Sequence, residues 1–186
     1  MTGVGPAVEA RLPTVGRGLW AVAAIGFAAV VLEVTVMPYI AIARGIPDLI
    51  AAAVVSIGIL RGSLVGAVAG FFAGLLAELA APIGTLGVLA LLYLIVGAFA
   101  GRYTERQEAE GLLVPLGLSV AAAGVVQAAY AGVHLLLGEG APAAFLVASV
   151  IIPQMALTAL LSPPVLLAAR RLLGAPRVVE PFAVPR

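Results

Sequence analysis

Cysteine and lysine are both absent from this 186-residue chain, and histidine occurs once. The missing cysteine excludes disulfides, thiolate metal sites and cysteine nucleophiles. Charge is scarce as well: 10% of residues are charged against 63% hydrophobic, and the mean hydropathy is +1.19. A soluble domain carries roughly 25% charged residues, so this chain lacks the surface chemistry to stay in water. A net charge of +1 without a separate basic run gives no footing for nucleic acid. There is no serine–histidine–acid set at matched depth, no His-x-x-x-His, no paired aspartates within helices and no phosphate-binding glycine loop. An enzyme is disfavoured, and neither cofactor nor metal is expected.

What the chain has is long apolar runs. In a bilayer every backbone amide must be satisfied within a helix or a closed barrel. Barrel strands would alternate apolar and polar residues, and these runs do not, so the expectation is an all-α bundle of about six transmembrane helices. The runs are Gly18 to Met37, ended by Pro38; Pro47 to Leu60; Gly62 to Ala80; about Thr85 to Gly101; Gly111 to Leu137; and Ala143 to Pro163-Pro164. About 20 residues span the hydrocarbon core, so the second run is short and also suits a re-entrant helix. The fifth is long and should tilt or bend near Gly117 or Gly124. Past Pro164, Val165 to Leu173 with Arg170 and Arg171 reads as a helix lying along the membrane surface.

Arginine placement orients the bundle. With six spans and an internal N-terminus, Arg11, Arg17, Arg61, Arg102, Arg106, Arg170, Arg171, Arg177 and Arg186 face the cytoplasm and only Arg44 lies outside. The expected organisation is a cytoplasmic segment 1–17, a transmembrane domain 18–173 and a cytoplasmic tail 174–186. Ala41-Ile42-Ala43 imitates a signal-cleavage site, but the preceding stretch is too long and carries Glu33, so cleavage is not expected.

The strongest local signal is in the third run, where Gly62, Gly66, Gly70 and Gly74 recur every four residues and Glu78 continues the row. Steps of four advance a helix by about 40°, so the five positions form one slanting ridge. Four glycines in register weaken a helix and imply a closely packed partner, either another helix of the bundle, the favoured reading, or a separate protein. Gly97 and Gly101 make a shorter version in the fourth run. Glu78 is either a functional intramembrane carboxyl group or an exposed one at the interface. Glu33 lies at similar depth. Asp48 follows Pro47 and suits a helix N-terminus, capping being favoured over a partner contact. Arg61 closes the turn between runs two and three as a positive-inside anchor. His134 and Gln127 share a face and read as packing residues. Gln154 is placed to satisfy the carbonyl freed by Pro153. Residues Glu105 to Glu110 read as a solvated turn.

Residues 47–101 resemble the rod shape-determining protein MreD family. The resemblance rests on Pro47-Asp48-Leu49 opening a helix, Arg61-Gly62 at a short turn, and Gly66, Gly70 and Gly74 leading to an acidic residue. It continues through Gly84-Thr85-Leu86-Gly87, Ala90-Leu91-Leu92-Tyr93-Leu94 and the closing Val96-Gly97-Ala98-Phe99-Ala100-Gly101-Arg102. Family members usually place aspartate where this chain has Glu78. The resemblance implies a non-enzymatic scaffold subunit of the bacterial cell-elongation complex in the cytoplasmic membrane. Its implied partners are MreC, RodA and a class B penicillin-binding protein, with MreB filaments contacted indirectly, all within membrane lipid. It also implies an organisation similar to the substrate-binding subunits of energy-coupling-factor vitamin transporters, which is the alternative function. A vitamin binder needs convergent polar and aromatic groups, for which Tyr39, Arg44, Asp48, Glu78 and Glu139 are the candidates.

Overall fold

The computed structural model describes residues 13–42, 44–80, 86–106, 112–138 and 143–174. Among them the chain forms six helices and no β-strand. These are α1 (Pro13–Thr35), α2 (Leu49–Arg61), α3 (Ser63–Ala80), α4 (Val88–Arg106), α5 (Leu113–Leu136) and α6. The last comprises one turn at Ala143–Leu146, a π-helical turn at Val147–Ile151 and a long α-helical stretch Ile152–Leu173. All but α2 are long and apolar enough to cross a membrane. The two terminal segments assigned to the cytoplasm lie largely outside the described residues, although residues 13–17 are already helical.

The short helix is the hub. At 1.5 Å per residue its 13 residues reach about 20 Å, well below the ~30 Å of a hydrocarbon core. Every residue from Leu49 to Leu60 is buried, and α2 contacts all five other helices. A helix apolar on every side is stable only when wrapped in this way. It begins inside the bundle, at the level of Tyr93, which lies five residues into α4. The chain leading to it is irregular: a 3₁₀ turn at Met37–Ile40, then a tight turn in which Ile42 and Gly45 exchange backbone hydrogen bonds. Non-helical backbone at such depth is tolerated only where protein covers it, and Met37, Gly45, Pro47 and Asp48 are all buried.

The glycine ridge meets α4. Helices α3 and α4 run antiparallel, and each four-residue step along one is matched by a four-residue step back along the other. Gly66 faces Gly97, Gly70 faces Tyr93, Gly74 faces Leu89 and Ala90, and Gly101 faces Gly62 and Ser63, backbone against backbone. A Cβ on Gly74 would lie 2.6 Å from the Leu89 carbonyl oxygen, and one on Gly66 2.5 Å from that of Gly97. Gly58 of α2 enters the same contact: its Cβ would lie 2.8 Å from the Gly97 oxygen. Three backbones therefore converge where small residues alone fit. The reversal between α2 and α3 needs Gly62 at φ +93, a conformation costly for any side chain.

Two expectations for the last helix need correction. The helix does not end at Pro163-Pro164 but continues to Leu173. Proline at 163 deprives the Ala159 carbonyl of its donor, and the Ser162 hydroxyl donates to that oxygen at 3.3 Å. Val165 to Leu173 is thus the closing end of a packed helix rather than a surface helix, with Ala169 and Leu173 set against Ile57 and Leu60 of α2. The second correction concerns Pro153. It frees the Ser149 carbonyl and widens the helix into a π turn, but Gln154 is not the donor that answers. The backbone N–H of Arg44 donates to Ser149 at 3.2 Å. Gly45 follows because a Cβ there would sit 2.5 Å from the Gln154 nitrogen.

Candidate functional site

Starting α2 inside the bundle creates a chemical problem, because the first four N–H groups of a helix have no internal partner and no water surrounds them here. Two acidic residues solve it. Asp48, the residue before the helix, accepts from the Ala51 N–H at 2.6 Å, and its own carbonyl accepts from Ala52. Glu33, two residues from the end of α1, accepts from the Ile50 N–H at 2.8 Å. With the Asp48 N–H bonded to the Thr158 hydroxyl, three of the four orphan donors are met by side-chain oxygens. Pro47 fixes the approach without adding a donor.

The Asp48 side chain is held from a second direction. The Tyr93 hydroxyl of α4 donates to both its carboxyl oxygens at 3.0 Å, and the Asp48 N–H donates to the Thr158 hydroxyl of α6 at 2.9 Å. Asp48 is 2% exposed, Tyr93 3% and Thr158 0%. Four elements are thus locked to one helix start: α1 through Glu33, α4 through Tyr93, α6 through Thr158 and α2 itself. The positive end of the α2 dipole sits among these oxygens, the polarity an acidic cap favours.

The other candidates also close helix ends. Glu78 is 6% exposed, so it is not an exposed interfacial carboxyl group. Its two oxygens accept from the N–H groups of Gly87 and Leu89 at 2.7 Å each, capping α4. Arg61 donates to the Leu173 carbonyl at 2.7 Å, capping the end of α6, while Gly174 at φ +82 returns its N–H to Arg170. Glu105 lies within α4, which extends past the expected end at Gly101, and accepts from the N–H and the hydroxyl of Ser63 at 2.9 Å each. Residues 107–110 of the expected turn lie outside the described residues. His134 packs edge-on to Tyr130 with centroids 4.6 Å apart, and the Arg44 guanidinium lies over the Phe145 ring at 5.3 Å.

The structure therefore brings Glu33, Pro47 and Asp48 into one cluster, sets Glu78 and Arg61 at separate helix ends, and places Gly62, Gly66, Gly70, Gly74, Gly97 and Gly101 in the α3–α4 contact. Thr158 was not singled out from sequence, Tyr93 entered only as part of the resemblance motif, and Glu105 was read as part of a solvated turn. Tyr93 carried a usable signal, since a phenol deep in an apolar run needs an acceptor. Thr158 carried none, because a helical threonine commonly bonds its own backbone. Among the described residues no three histidine or acidic side chains are grouped to hold a metal.

The fold and this cluster define a class: a polytopic helical membrane protein whose buried polar groups brace helix ends. No protein-family model matches the chain, and no curated protein or solved structure is significantly similar to it.

Proposed function

We propose that the chain is a non-enzymatic scaffold subunit of the bacterial cell-elongation complex, of the MreD kind. It sits in the cytoplasmic membrane with both termini inside. It binds MreC, and through the assembly RodA and a class B penicillin-binding protein, with MreB filaments engaged indirectly. The observation that carries this reading is where the ionisable groups are used: Glu33, Asp48, Glu78, Glu105 and Arg61 each satisfy the backbone of a helix end. A bundle so braced presents stable apolar faces to other spans and keeps few polar groups for a substrate. The resemblance of residues 47–101 and the nine-to-one arginine bias add to it. The vitamin-binding alternative has less support, since Asp48 and Glu78 are engaged by the protein itself and Arg44 is stacked on Phe145.

The glycine ridge is taken up by α4, so a partner span docks on another face. The deciding experiment is a tagged pull-down from native membranes in mild detergent with mass-spectrometric identification. Recovery of MreC, RodA or the penicillin-binding partner supports the scaffold. Recovery of a transmembrane coupling subunit with ATPases overturns it in favour of a transporter.

A further inference from the structure

An apolar groove of about 460 Å³ runs between α1 and α3, bounded by Leu19, Gly26 and Phe27 on one side and Leu64, Phe72 and Leu76 on the other. Phe27 and Phe72 form rims, 60% and 57% exposed, and nothing lies within 4 Å of where a Gly26 side chain would begin. From Leu64 to Leu76 the groove follows about 18 Å of helix, close to the ~15 Å hydrocarbon depth of one leaflet. A single hydrocarbon chain is thin enough to enter a groove of this length and apolar lining.

A cation lies beside one end of the groove, just outside its apolar lining. The Arg61 guanidinium lies 3.1 Å from the Cβ position of Gly18, the residue before Leu19, and three residues before Leu64 in sequence. Its hydrogen bond to Leu173 uses one of five N–H donors, and among the described residues no carboxyl group pairs with it. A guanidinium at the mouth of an apolar channel matches a phosphate headgroup at the end of an acyl chain. We propose that this groove seats one acyl chain of an anionic phospholipid, with the phosphate held at Arg61.

The test is native mass spectrometry of the purified chain after equilibration with vesicles of equimolar phosphatidylglycerol and phosphatidylcholine. One phosphatidylglycerol per chain is retained in preference to phosphatidylcholine. Arg61→Gln, which keeps a donor for Leu173, lowers that preference about fivefold. Gly26→Leu places a side chain in open groove space and lowers retention of both lipids about tenfold, with helical content by circular dichroism unchanged. Undiminished lipid retention in Gly26→Leu, or equal retention of the two lipids by the unaltered chain, overturns the proposal. So does finding the groove filled by a second copy or another polypeptide that Gly26→Leu releases in place of lipid.

Discussion

Substituting Gly66 by alanine tests the convergence of three backbones directly. The added methyl would lie 2.5 Å from the Gly97 oxygen and 2.7 Å from the Gly58 Cα, where ordinary contact begins near 3.4 Å. Relief requires α4 and α2 to give way by about 0.9 Å and 0.7 Å, and close-packed interiors resist such shifts. Both obstacles are backbone, so no rotamer change can absorb them. Overpacking costs about 1–3 kcal/mol, and rigid neighbours place this site at the upper end. Replacing a helical glycine returns about 1 kcal/mol, leaving a net loss of about 2 kcal/mol. Gly117→Ala in α5 is the control, since nothing lies within 4 Å of its Cβ position. It should be neutral or up to about 1 kcal/mol more stable. Equilibrium unfolding in mixed micelles titrated with dodecyl sulfate, followed by circular dichroism, reads both. If Gly66→Ala unfolds with Gly117→Ala, the three-helix contact does not hold the bundle and the reasoning fails.

Three further outcomes follow, two from the caps and one from the turn packed on α6. Asp48→Ala should lose about 2–4 kcal/mol in the same assay, from the missing cap and the stranded Tyr93 hydroxyl, while Asp48→Asn, which keeps an acceptor, loses about half as much; equal losses would separate the cap from the effect. Glu78→Asp, one methylene shorter, should hold one of the two amides at Gly87 and Leu89 and cost about 1 kcal/mol, visible as faster hydrogen exchange at the start of α4 alone. Gly45→Ala should push the 42–45 turn away from α6 and leave the Ser149 carbonyl unpaired, so exchange across residues 149–155 should quicken; protection equal to the unaltered chain would refute the role given to the Arg44 N–H.

Class and helix count were legible in the residues alone. Low charge and long apolar runs leave a helical bundle as the stable answer in a bilayer, and all six runs are helices in the structure. The four-residue glycine spacing announced a close helix contact, because missing side chains are a local property of the chain. Tertiary structure alone decided what meets what. Nothing in residues 62–74 names α4 as the partner, since the matching surface on α4 includes Tyr93, Leu89 and Ala90, whose side chains are not small in common. The continuation of α6 past Pro163-Pro164 was hidden because local rules stop a helix at proline, whereas Ser162 and the packing of Ala169 and Leu173 on α2 keep it going. Glu33 and Asp48 are 15 residues apart, and Thr158 is 110 beyond Asp48. They become one site only because α2 starts inside the bundle, where its amides must find protein oxygens in place of water.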